Sequence, residues 1–117
     1  MERTIHVGDR PLRTGYVEAV ATAPDVQGSG LGTVVMHEVG RIIHDGYDLG
    51  TLGTGAHRFY ARLGWETWPG QAFVRMPGGP VRTPDEEGFI MILRTPATPT
   101  LDPSAAISCE WRPGDVW

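Results

Sequence analysis

From Leu31 onward the apolar positions Leu31, Val34, Val35, Val39, Ile42 and Ile43 recur with helical spacing until Gly46, and the run Gln27-Gly28-Ser29-Gly30-Leu31-Gly32 stands at its start. A glycine-rich loop opening onto an amphipathic helix commits the chain to a strand–loop–helix unit, because glycine accepts the tight turn into the helix and Gly46 ends it. The same arrangement binds phosphates: unpaired N–H groups at the helix start point at the ligand, and the helix dipole adds positive potential. Glycines that merely turn the chain would give the same six letters.

The flanking segments supply a sheet. Thr4 to Val7 alternates polar and apolar, Gly8-Asp9-Arg10-Pro11 reads as a turn, and Thr14 to Ala23 forms a second strand, so an antiparallel hairpin precedes the loop. Beyond the helix the reading gives a strand over Tyr47 to Leu52, a short helix over Ala56 to Leu63, and strands over Phe73 to Met76 and Phe89 to Leu93 joined by a Gly/Pro-rich connection. Thr95 to Pro103 holds three prolines and runs extended, and Ala106 to Trp111 adds a last strand before the tail from Arg112 to Trp117. The order is ββαβαββ with a C-terminal strand, and no internal repeat interrupts it.

The 117 residues suit one domain, residues 1–117, with 40% hydrophobic and 21% charged side chains, and no apolar run long enough to cross a bilayer. Met1 to Arg13 lacks the apolar stretch of a secretory signal, so a cytoplasmic location is expected and no membrane partner. The single cysteine, Cys109, reads as a packed strand residue. A formal charge of −4 argues against nucleic acid and permits a cationic small molecule. No metal is expected: His37 and His44 lie two turns apart on one helix face, no third ligand stands at a suitable spacing, and His37-Glu38 lacks the second histidine of a zincin.

Which phosphate ligand the loop could take is narrowed by its letters. A Walker loop would place Lys and Ser/Thr after the final glycine, where Thr33-Val34 stands, and a Rossmann loop would need glycine in place of Thr33. Gln27-Gly28-Ser29-Gly30-Leu31-Gly32 does match the Q/R-x-x-G-x-G/A pattern of the GNAT acetyltransferases, and Ala56-His57-Arg58-Phe59-Tyr60-Ala61-Arg62-Leu63-Gly64-Trp65 resembles their A-x-x-F-Y-x-x-x-G-F/W segment. Gly15-Tyr16-Val17-Glu18, Arg82-Thr83-Pro84-Asp85-Glu86-Glu87-Gly88 and the ending Cys109-Glu110-Trp111-Arg112-Pro113-Gly114-Asp115-Val116-Trp117 are similar to the aminoglycoside 2'-N-acetyltransferases in particular.

That resemblance, running from about Ile5 to the end, implies an α/β (α+β) GNAT-like fold with a mixed, mostly antiparallel sheet and flanking helices. The strand–helix–helix–strand that usually precedes this segment is lacking, so a truncated domain is expected. It implies acetyl-CoA as co-substrate, an aminoglycoside as acceptor and antibiotic resistance as the role. The alternative is a catalytically inactive acetyl-CoA-binding or interaction module. An exposed first strand could pair with its copy, so a homodimer is expected.

By the same resemblance Gln27, Gly28, Ser29, Gly30, Leu31 and Gly32 hold the coenzyme pyrophosphate, while Val20, Ala21 and Thr22 bind pantetheine and offer an N–H to the thioester carbonyl. Glu18 is the expected base, acting through water, and Tyr60 the acid that protonates the departing thiolate; transfer is direct, without an acetyl-enzyme. Glu18, Ala19, Gly53, Asp85, Glu86, Asp115 and Trp117, the last through its terminal carboxylate, are the expected substrate contacts, several carboxylates together suiting a polycation. As bare sequence, Glu18 would be a solvent-facing strand residue, Tyr60 a packed helix aromatic, and Asp85-Glu86-Glu87 a solvated charge cluster.

Overall fold

The computed structural model describes residues 1–18 and 31–117. In chain order the elements among these residues are β1 (Glu2–Val7), β2 (Arg10–Val17), α1 (Leu31–Gly46), β3 (Leu49–Gly53), α2 (His57–Ala61), β4 (Glu66–Thr67), β5 (Ala72–Met76), β6 (Gly79–Arg82), a 3-10 turn (Pro84–Glu86), β7 (Ile90–Arg94) and β8 (Ile107–Glu110). The strands form one sheet in the order β4-β7-β3-β2-β1-β8-β5-β6, with β2–β3 and β5–β8 parallel and the other neighbours antiparallel.

The β1–β2 hairpin is tighter than expected: Gly8 and Asp9 alone make the turn, and Arg10 and Pro11, expected in it, already pair in β2 ahead of Thr14. Val7 pairs with Arg10, and Gly8 between them takes a φ of 60°, a conformation that costs glycine nothing and other residues a good deal. After β2 the chain returns through α1 to lay β3 parallel to it, Tyr16 opposite Thr51 and Val17 opposite Leu52. The sheet's two faces then carry different cores. Met36 and Ile43 of α1 bury Leu52, Met91, Tyr60 and Trp65 on one face, and the backbone at Gly15 and Gly50 comes so close to Ile43 that a Cβ there would crowd it. The opposite face gathers Ile5, Leu12, Tyr16, Leu49, Ile90, Ile92, Ile107 and Cys109, closed over by Trp68 and Trp117. Cys109 is thus a buried strand residue.

Three further expectations change. The Gly/Pro connection between the fifth and seventh strands contains a strand of its own: β6 pairs with β5 from Met76↔Gly79 to Phe73↔Arg82 around Pro77-Gly78. Pro80 is tolerated because β6 is the last strand in the sheet, so its missing N–H breaks no ladder on the outer side. A two-residue strand, β4, follows α2, which is itself shorter than Ala56 to Leu63. Finally, β1 is not an exposed edge: β8 pairs with it at His6↔Ser108 and Val7↔Ile107, and the edges of the sheet are β4 and β6.

Candidate functional site

Glu18 stands one residue beyond β2, where the described register with β3 has just ended at Val17↔Leu52. Its carboxylate accepts two hydrogen bonds from Arg112 of the C-terminal tail, Nη1 to Oε1 at 2.9 Å and Nη2 to Oε2 at 3.4 Å. The charge-assisted bond from Arg112 holds the Glu18 carboxyl below its ordinary range, with further help from the positive charges of Arg3 and the N-terminal amine. Both arginines also lie over the Tyr16 ring, Arg3 at 4.7 Å and Arg112 at 5.4 Å from its centroid. Burial pushes the Tyr16 phenol up to about 12, so it stays protonated. A Cβ placed on Gly53 would stand 3.8 Å from the Tyr16 hydroxyl, which puts the end of β3 beside this group. A cleft of about 360 Å³ opens here, between the end of β2 and α1, lined by Met1, Val17, Glu18, Val39 and Ile42 among others.

The tail and the β6–β7 loop meet alongside. Arg112 Nε donates to the Asp115 carbonyl at 2.7 Å, and the Trp117 indole donates to Thr83 Oγ1 at 3.1 Å. Asp85 and Glu86 occupy the 3-10 turn that follows Thr83. Burial first, and then the negative charges of Asp115 and Asp85, push the Glu86 carboxyl up. The β3 end reaches the same loop by backbone bonds, Thr54 N–H to Phe89 C=O at 2.8 Å and Phe89 N–H to Glu86 C=O at 3.0 Å. Glu87 takes a different part: it accepts Arg82 through both oxygens and the Ala72 N–H, and the Arg82 bonds drive its carboxyl down to about 2.

Tyr60 is fully buried on α2, edge-on to Phe59 and to Trp65, within the core that α1 covers, whereas Glu18 pairs with Arg112 just past the end of β2. The structure links Glu18 to the tail that carries Asp115 and Trp117, links that tail to the loop of Asp85 and Glu86, and sets Tyr60 apart in the α1 core. Ala19, Val20, Ala21, Thr22, Gln27, Gly28, Ser29 and Gly30 lie outside the described residues; Leu31 opens α1 and Gly32 is buried in its first turn. That first turn carries no acidic side chain, so nothing of its own opposes an anionic group at the positive end of the helix dipole. Among the described residues no cluster of His, Cys, Asp and Glu could hold a metal, and His37 and His44 are exposed.

Sequence reasoning gave Arg112 no role, although it lies in the terminal motif. Its partner is 94 residues away, a separation at which charge pattern carries no signal. Arg3 and Tyr16 were missed for the same reason, being joined only through the folded sheet.

Residues 3–67 match the acetyltransferase (GNAT) domain, a match spanning more than half of the chain and including α1 and α2. The chain is also 43% identical over 121 aligned positions to an aminoglycoside 2'-N-acetyltransferase of Mycolicibacterium fortuitum; the alignment covers 100% of this chain and 62% of that protein. The β6–β7 loop and the tail lie outside the domain match and inside the second alignment. With that match over more than half of its length and a mixed, mostly antiparallel sheet flanked by α1 and α2, the chain belongs to the GNAT acetyltransferase family.

Proposed function

We propose that this chain carries the acetyl-CoA and aminoglycoside sites of an acetyltransferase that moves acetyl to the 2'-amine of an aminoglycoside. The observation that carries the acceptor side is the meeting of the C-terminal tail with the loop that holds Asp85 and Glu86, where Trp117 donates to Thr83 and the Glu86 carboxyl is pushed up by burial and by the charges of Asp115 and Asp85. A polycation relieves that repulsion, and each ammonium can take a charge-assisted bond. Gly53, Ala19 and Trp117 complete the proposed contacts. The donor side rests on the family membership and on the bare first turn of α1, with Gln27 to Gly32 holding pyrophosphate and Val20 to Thr22 the pantetheine arm.

In the proposed reaction Glu18 accepts, through water, the proton that the acceptor ammonium must lose. The freed amine attacks the thioester carbonyl carbon; the C–N bond forms, the C–S bond breaks, the thiolate takes a proton from the Tyr60 phenol, and the second proton lost by the nitrogen as it becomes an amide returns through water to the phenolate. A phenol and a thiol have ordinary pKa values close enough for that transfer. Holding amine and thioester together supplies most of the acceleration, so no acetyl-enzyme is needed.

The chain spans 62% of the curated relative's length, so activity of these residues alone is part of the proposal. A homodimer and a cytoplasmic location, where acetyl-CoA is made and used, belong to it too. The dimer now rests on α1, whose Val34, Val35 and Ile42 are exposed, in place of a free first strand, and sedimentation would test it. No helix among the described residues is long and apolar enough to cross a membrane, and the acidic balance gives no footing for nucleic acid.

The deciding experiment is thiol release from acetyl-CoA by the 117-residue chain, comparing an aminoglycoside with a 2'-amine against one with a 2'-hydroxyl. Release with the amine alone supports the reading. Acetyl-CoA binding without release in either case replaces it with the inactive binding module.

A further inference from the structure

We infer that Arg112 is a positioning residue: it ties the Glu18 carboxylate to the C-terminal tail, so that the base and the tail's Asp115 are set by one guanidinium. This rests on the reading of Glu18 given above. Three contacts of that guanidinium carry the inference. Nη1 and Nη2 engage both oxygens of Glu18, Nε engages the Asp115 carbonyl, and the group lies over the Tyr16 ring. The planar fork of arginine can satisfy a carboxylate and a third acceptor at once, and stack on an aromatic face, where a lysine supplies one point charge.

The arrangement has a chemical consequence for Glu18. Just past its strand, an unrestrained glutamate would sample several rotamers, and a proton acceptor that is misplaced by about 1 Å can lose about a hundredfold in rate. Arg112 fixes the carboxylate in one orientation and keeps it ionised. Among the described residues the charged groups facing Glu18 are Arg112 from the tail, Arg3 from β1 and the N-terminal amine of Met1, which donates to the Tyr16 carbonyl at 3.0 Å; all three favour the carboxylate. Of these only Arg112 hydrogen-bonds to it, so removing Arg112 should release both its position and its charge state.

The test uses NMR on the 117-residue chain, following the Glu18 carboxyl carbon and the Arg112 side-chain nitrogens through a pH titration. In the unsubstituted chain the Arg112 nitrogens should shift at the pH where Glu18 takes up its proton; independent titration of the two would overturn the inference without any variant. In Arg112→Met the Glu18 midpoint should move upward, and Arg112→Lys should bring it part of the way back. An unchanged midpoint in a folded Arg112→Met chain would equally overturn it. Where the unsubstituted chain turns over a 2'-amino substrate, Arg112→Met should lower kcat/KM by about ten- to a hundredfold, with the acidic limb of its pH profile displaced upward. Absence of turnover would count against the proposed function alone, since the titration judges Arg112 by itself.

Discussion

The indole of Trp117 donates to the hydroxyl of Thr83 at 3.1 Å, pinning the last residue of the chain to the loop that carries Asp85 and Glu86. Trp117 is buried against the same core as Tyr16 and Ile90, so the bond orients a side chain whose packing already holds it. Thr83→Val keeps the shape and removes the acceptor. It should cost about 1 kcal/mol in denaturant unfolding, whereas Trp117→Ala, which empties part of the core, should cost about 3 kcal/mol or more. Equal effects would mean that the bond, and not the packing, holds the tail.

Arg3 presents a second coupling, across β1 and β8. Its side chain is almost wholly buried, and Glu110 answers it with a side-chain ion pair to Nε while the Glu110 carbonyl accepts from Nη2 at 3.0 Å. Among the described residues its Nη1 is buried with no hydrogen-bond partner, so beyond the stacking on Tyr16 little other compensation exists. Glu110→Ala would strand a buried guanidinium and should cost about 3 kcal/mol, the low end of the range for such pairs because Glu110 is 41% exposed. Replacing both, as Arg3→Met with Glu110→Leu, should recover most of that loss in the same unfolding measurement.

Much of the frame was legible because it is local. The helix over 31–46 follows from a period of 3.6 and a terminal glycine, and the first hairpin from alternation around Gly8-Asp9. What was illegible depends on neighbours distant in sequence. Gly79 to Arg82 reads as a turn by composition and becomes a strand because β5 lies beside it with a free edge. The first strand loses its expected edge because β8, about a hundred residues later, docks on it. The site shows the same division. Glu18 and the acidic loop could be named from the resemblance, but Arg112 could not, since its contact with Glu18 exists only after the tail has crossed the sheet.

Tyr60 supplies a catalytic prediction from its burial. Its ring is wedged edge-on against Phe59 and Trp65, so Tyr60→Phe keeps the packing and removes only the hydroxyl. As the proposed acid, it should lose about 10²-fold or more in kcat while acetyl-CoA affinity, read by calorimetry, stays nearly constant. An equal fall in both would reassign the residue to building the coenzyme side of the core.

Glu86 and Glu87 are adjacent and should respond to pH in opposite directions. The Glu87 carboxyl, held at about 2 by Arg82, lies below the value of about 4.3 expected in an unfolded chain, so its contribution to stability is full above that value and is lost as pH falls toward 2. Glu87→Gln should flatten that acid limb of the melting temperature. The Glu86 carboxyl is instead raised, by burial and by Asp115 and Asp85, so its protonated form favours the fold, and stability is lost as pH rises through its folded value. Glu86→Gln should therefore raise the melting temperature of the free chain at neutral pH and weaken binding of a polycationic aminoglycoside. A site that holds repelling carboxylates together for a cationic ligand carries that cost until the ligand arrives. If Glu86→Gln lowered both stability and binding, Glu86 would be a structural acceptor whose partner is lost, and the acidic cluster would no longer support a polycation site.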